Sequence, residues 1–178
     1  MIQFTNGVSG AIGGALGGVL GDFAARDHGM PGRVAVAFTS VVGGTLFYGL
    51  FLFSNSFLLS MLWSNLFQIW GGWTPAATNR PLCAHLARNP SERAQIVAAW
   101  ILMEKTSAAV FGAPLVGYIT KHMIDQQSGG TLEKAETLAW NMFWLSSLFW
   151  GICALFWLLM AHSLRQQSLY EALEESQR

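Results

Sequence analysis

Apolar runs broken by short polar interruptions divide the chain into five stretches, at about 2–21, 34–53, 57–78, 96–119 and 138–162. Each is close to the ~20 residues that a helix needs to cross a hydrocarbon core. The pattern predicts an all-α integral membrane protein with five transmembrane helices. Between Arg33 and Arg80 there is no Asp, Glu, Lys or Arg, which as helix is about 70 Å, or roughly two bilayer crossings. The polar turn Ser54-Asn55-Ser56 divides that run and makes the second and third spans antiparallel neighbours.

Inside the first span glycine recurs at every fourth position in two rows, Gly10-Gly14-Gly18 and Gly13-Gly17-Gly21. Glycine weakens a helix in water, but in a bilayer it lets a neighbouring helix approach to near backbone contact. Gly10, Gly13, Gly14 and Gly17 are therefore expected at a helix–helix contact. The ladder runs into Asp22, Arg26, Asp27, His28 and Arg33, interleaved with Gly29, Pro31 and Gly32, which predicts a tight charged loop at the membrane surface.

Further along, Asn89-Pro90-Ser91-Glu92 reads as a helix N-terminal cap. Lys121 to Thr137, with Gly129-Gly130, reads as an exposed, mobile loop. Two regions are expected: a membrane bundle over 1–163 and a charged tail over 164–178. In the tail, Leu164, Leu169 and Leu173 with Glu171, Glu174 and Glu175 suggest a helix leaving the membrane. Arg26, Arg33, Arg80, Arg88, Arg93, Arg165 and Arg178 fall on one side of this topology, against Lys121 and Lys134 on the other. By the excess of cations in cytoplasmic loops, the first loop and the C-terminus face the cytoplasm and the N-terminus does not. The aromatic last span, with Trp140, Phe143, Trp144, Phe149, Trp150, Phe156 and Trp157, reads as an outer helix facing lipid.

Composition narrows the function classes. Hydrophobic residues make up 52% and charged residues 11%, with net charge zero. The expected partner is the lipid bilayer, and with no basic cluster interleaved with aromatics, nucleic acid is not expected. Cys83 and Cys153 fit neither a disulfide framework nor a metal site. No metal or cofactor site, catalytic residue or enzyme motif is found, and the four histidines are scattered.

Glu104 and Lys105 are the only charges inside a predicted span. They lie near its midplane, where charge is costly unless it is paired or faces an aqueous cavity. Adjacent positions on a helix diverge by about 100°, so the two cannot simply face each other, and one of them is expected to find a partner on another helix or to line a pathway. In the third span Ser60, Ser64 and Gln68 recur at every fourth position with Asn65 beside them. Such a stripe either lines a water-filled cavity or bonds across to a neighbouring helix.

These residues resemble the second half of a major facilitator superfamily transporter. The family's loop signature is a glycine, three residues, an Asp and then basic residues. Gly18-Val19-Leu20-Gly21-Asp22 matches it, with Arg26 and Arg33 as the basic part. Phe23 stands where Arg or Lys is usual, and Ala25 where Gly is usual. Asn79-Arg80-Pro81, Asn89-Pro90-Ser91-Glu92-Arg93, Glu104 and Gly112-Ala113-Pro114-Leu115-Val116-Gly117 resemble the tenth-to-eleventh helix region of spinster-like and uncharacterised plant or protist members. Those members also tend to read Pro-x-Gly-Arg-Ile/Val where this chain has Met30-Pro31-Gly32-Arg33-Val34, and to carry a Glu where Glu104 stands.

The resemblance implies helices eight to twelve of a twelve-helix alternating-access carrier for a small-molecule substrate. Gly18, Asp22, Arg26 and Arg33 would form the gating loop. Glu104, Lys105, Ser60, Ser64, Asn65 and Gln68 would serve the cavity, substrate or coupling ion, and Gly112, Pro114 and Gly117 would pack helices. Five spans form a partial major facilitator fold, so the expected partner is the missing N-terminal half, and a truncated gene model or partial sequence is expected. The alternative is a small membrane subunit or scaffold that oligomerises, or packs onto another membrane chain, through its glycine-rich first helix.

Overall fold

The structure, a computed structural model, describes residues 2–87, 89–125 and 130–176. These residues form α1 (Ile2–Leu52), α2 (Phe57–Gly71), a π-helical turn (Pro75–Asn79), α3 (Arg80–Leu86), α4 (Pro90–Ser107), a second π-helical turn (Ala108–Gly112), α5 (Ala113–Asp125) and α6 (Thr131–Ser176). Three stretches are long and apolar enough to cross a membrane: Gln3–Leu52, Pro90–His122 and Glu133–Gln167. The described residues are thus all-helical, with three membrane-spanning candidates among them, where the sequence pattern predicts five spans.

Two differences account for that count. The first two expected spans are the two arms of α1. Its helical backbone continues through Asp22 and Arg26 and breaks only at Gly29 (φ 60°, ψ −143°), so the expected loop shrinks to a one-residue break. This is a backbone region that glycine reaches freely and L-residues rarely adopt. Pro31, just beyond, has no N–H with which to continue the preceding turn. The arms, 2–28 and 30–52, then fold back on each other, and a side chain at Gly32 would collide with the backbone of Ala24.

The third expected span, 57–78, is not one α-helix. Pro75 has no N–H to offer the Gly71 carbonyl four residues earlier, so α2 ends at Gly71 and the chain proceeds through the π-helical turn. Pro114, following the second π-helical turn, likewise denies a donor to Val110. The fourth span starts earlier than expected, because the Asn89 side chain accepts from the Glu92 backbone N–H at 2.9 Å and Pro90 occupies the first turn. The expected loop 121–137 is helical up to Asp125 and again from Thr131; residues 126–129 lie outside the described residues. Helix α6 continues through the charged tail to Ser176.

Packing divides the chain into two units, Met1–Leu82 with Trp150–Arg178, and Cys83–Phe149. In the first unit α2 and its π-helical turn run parallel to the first arm of α1, since Gly13, Gly17 and Gly21 meet Ile69, Trp73 and Ala77 in that order. They run antiparallel to the second arm: Phe47 stacks with Trp63 at 6.1 Å, Tyr48 meets Phe67 at 5.4 Å, Gly43 meets Trp70, and Arg33 meets Ala77. The second half of α6 closes the unit. Trp157 packs with Val34 and Ala37 in a small buried core, and Trp150 lies 5.3 Å from Tyr48 and 5.6 Å from Phe67.

The second unit is much barer. Helix α4 buries no residue, and Leu102, Met103, Phe111 and Tyr118 are all more than 60% exposed. Along the first half of α6, Trp140 stacks with Trp144 and Phe143 meets both edge to face.

Candidate gating turn and adjoining groove

The glycine ladder positions the charged turn. A Cβ at Gly13 or Gly17 would overlap the backbone of Ile69 or Trp73, and one at Gly21 would sit 2.9 Å from the Ala77 Cα. Ser9 extends the register by donating to the Asn65 Oδ1 at 2.7 Å. Four contacts, Ser9–Asn65, Gly13–Ile69, Gly17–Trp73 and Gly21–Ala77, therefore form one seam at a spacing of one helical turn. The other row is approached less closely: a Cβ at Gly10 or Gly18 would meet open space, and one at Gly14 only grazes the Gly72 carbonyl at 4.0 Å. A Cβ on Gly72 itself, however, would sit 3.0 Å from the Gly10 carbonyl oxygen and 3.3 Å from the Gly14 nitrogen. Gly10 and Gly14 thus flank the close passage of Gly72, and Gly18 faces open space.

At the end of this seam sits Arg33. Its guanidinium forms an ion pair with the Asp22 carboxylate on the other arm and donates to the Ala77 carbonyl at 3.2 Å. The Thr78 hydroxyl donates back to the Arg33 carbonyl at 2.7 Å. Arg33 thus ties both arms of α1 to the π-helical turn, using the planar donor fork that a lysine lacks. Its side chain is 17% exposed while Asp22 is 68% exposed, so solvent weakens the Coulomb part, and the backbone bonds carry much of the constraint. Arg26 is exposed.

The polar stripe of α2 faces α1. Ser64 is buried and donates to the Asn6 Oδ1 at 3.2 Å, while Asn65 accepts from Ser9 and donates to the Met61 carbonyl at 2.7 Å. Of the two roles open to this stripe, these two residues occupy the helix-bridging one. Ser60 and Gln68 are half-buried. Further along, Ser40 donates to the Trp70 carbonyl at 2.7 Å and the Trp70 indole donates to the Thr39 carbonyl at 2.8 Å.

Glu104 and Lys105 lie in the second unit, away from these contacts. The Lys105 ammonium reaches the adjacent Glu104 carboxylate at 3.0 Å, with side-chain exposures of 72% and 52%. The long, flexible side chains bend back across the divergence of their Cα–Cβ bonds, contrary to the expectation that neighbours cannot pair. Gly112 and Gly117 have no atom within 4 Å of a notional Cβ, and Pro114 is exposed.

Beside the turn, a groove of about 1080 Å³ lies between α1 and α6. Asp27, His28, His162 and Arg165 edge one end, and Phe23, Val36, Leu158 and Ala161 form its walls. The sequence pattern separates these residues by more than a hundred positions and assigns the histidines no joint role. A signal was nevertheless present, because His162 and Arg165 mark the end of the last apolar run, while Asp27 and His28 belong to the charged cluster that follows the first. The Arg33 bonds to Ala77 and Thr78 were not legible, since nothing in an uncharged run marks which carbonyl will be offered. Arg88 and Arg178 lie outside the described residues. Among the described residues no three His, Cys, Asp or Glu side chains converge as a metal site.

No family model, curated protein or solved structure matches this chain.

Proposed function

We propose that this chain is part of an alternating-access membrane carrier and contributes the gating turn and part of a helical bundle. The observation that carries the reading is the Asp22–Arg33 pair, set at a hairpin between two apolar helical arms and tied to a third helical segment through Ala77 and Thr78. A turn built in this way can transmit a push on its exposed face to three helical segments at once, as a rocking bundle requires. The family resemblance of Gly18, Asp22, Arg26 and Arg33 points the same way.

Glu104 and Lys105 add support from the second unit. They stand near the middle of the membrane-spanning candidate Pro90–His122 and are exposed within this chain. Two charges at that depth need polar surroundings, and in this reading the complementary half of the carrier provides them. Substrate contact by Glu104 is part of the proposal. Sequencing of the transcript upstream of Met1 tests the reading. A continuous reading frame encoding about seven further apolar spans, as a carrier of two six-helix halves demands, is expected; an in-frame stop close upstream overturns it.

A second reading, a subunit or scaffold that assembles through α1, has its own observation in the open space beside Gly10 and Gly18. Under that reading, cysteines substituted at Gly10 and Gly18 cross-link chains in native membranes.

A further inference from the structure

We infer that the groove between α1 and α6 is a phospholipid site. It holds the headgroup phosphate at Arg165, His162 and His28 and lays the start of an acyl chain against Phe23, Val36 and Leu158. Three observations point to this occupant.

The first is the lengthwise polarity of the groove. From Arg165 back to Leu158, and from His28 on to Val36, the lining changes from charged or polar to apolar over about 10 Å of helix rise. A phospholipid has this same polarity, charged at the headgroup and apolar along the chain.

The second is the position of the polar end. His162 and Arg165 stand where the apolar run of α6 gives way to the charged tail, and Asp27 and His28 stand at the break of α1. The two helices thus place their polar ends together at a boundary between apolar and charged chain, where headgroups lie.

The third is the donor set. A phosphodiester accepts hydrogen bonds and carries negative charge. An arginine with two imidazoles can supply a fork of donors and further N–H groups, while the Asp27 carboxylate at the same end, which repels the phosphate itself, can accept from the hydroxyls of a glycerol headgroup. The His162 ring lies 3.2 Å from the Gln166 amide, which can hold its orientation. The volume of about 1080 Å³ is slightly above the roughly 300–1,000 Å³ usual for small-molecule clefts. Leu158 is 51% exposed and Phe23 65% exposed, so the apolar walls are open to a chain entering from the bilayer.

The site does not depend on the carrier reading, because binding is measured without transport. The test is native mass spectrometry of the purified full chain with a short-chain phosphatidylglycerol, with matched diacylglycerol and with inorganic phosphate. The phospholipid is expected to bind saturably at one copy, and the other two to bind weakly. Arg165→Gln should weaken lipid binding about tenfold or more, the factor for losing one charged hydrogen bond. Leu158→Trp should block the groove with the polar end intact, while Arg26→Gln, on the same turn but outside the groove, should bind as the unaltered chain does. Undiminished binding by both Arg165→Gln and Leu158→Trp overturns the site, as does inorganic phosphate competing on equal terms with the lipid.

Discussion

Two ion pairs separate the two units of this protein. Asp22 and Arg33 are eleven positions apart, yet they are brought together by the break at Gly29 and held by backbone partners on a third segment. Glu104 and Lys105 are adjacent and pair with each other on a helix that buries nothing. The first pair records tertiary structure, and the second records only the reach of two side chains. An ion pair is therefore informative about a fold in proportion to how much other structure must be in place before it can form.

Three experiments can break or sharpen that contrast. The largest effect is expected at the glycine seam, where Gly17→Leu would force Trp73 away from α1. Overpacking of this kind costs about 1–3 kcal/mol or more and should appear as a marked loss of the folded fraction in a denaturant titration in mixed micelles. The matching change Gly117→Leu, with open space beside it, should be nearly neutral, and equal losses at both positions would erase the distinction between the units.

Next in size is the pair itself. Arg33→Ala leaves the Ala77 carbonyl and Asp22 without their shared donor and should cost about 1–2 kcal/mol, measured in the same titration. Lys105→Ala removes an exposed contact and should cost about 0.5 kcal/mol or less. A larger loss at Lys105 than at Arg33 would reverse the comparison.

The most local effect concerns order in the second unit. Asn89→Ala deletes the cap on α4 and should cost about 1 kcal/mol of helix stability. The loss should appear as faster amide exchange in the first turns of α4, while exchange around Gly17 and Trp73 stays unchanged.

Legibility in the sequence followed the same division. Helical class, the hairpin turn at Ser54-Asn55-Ser56 and the Asn89 cap all rest on local signals, namely apolar run length, a polar interruption and a short capping motif. The charged turn was seen as a cluster, but its form was not: a glycine with positive φ and a following proline are compatible with a loop or with a sharp break between continuous helices. The choice depends on how closely the two arms can pack at Gly32. Of the glycine rows, periodicity alone could not say which one is approached most closely, because that is decided by where the backbone of Ile69, Trp73 and Ala77 runs. The groove was hidden for a related reason. It joins residues of α1 to residues of α6, and a pattern read along the chain carries no information on which distant ends meet.

The seam between α1 and α2 also has a consequence in time. Each of its four contacts joins residues 56 positions apart, as in Ser9–Asn65. At a synthesis rate of about 5–20 residues per second, the glycine surface of the first arm leaves the ribosome roughly 3–11 s before the residues that will cover it. During that interval the groove around Gly13 and Gly17 has no partner from its own chain, so lipid or the insertion machinery must line it until Ile69 and Trp73 arrive. A slowed ribosome would lengthen that exposure without changing a single residue.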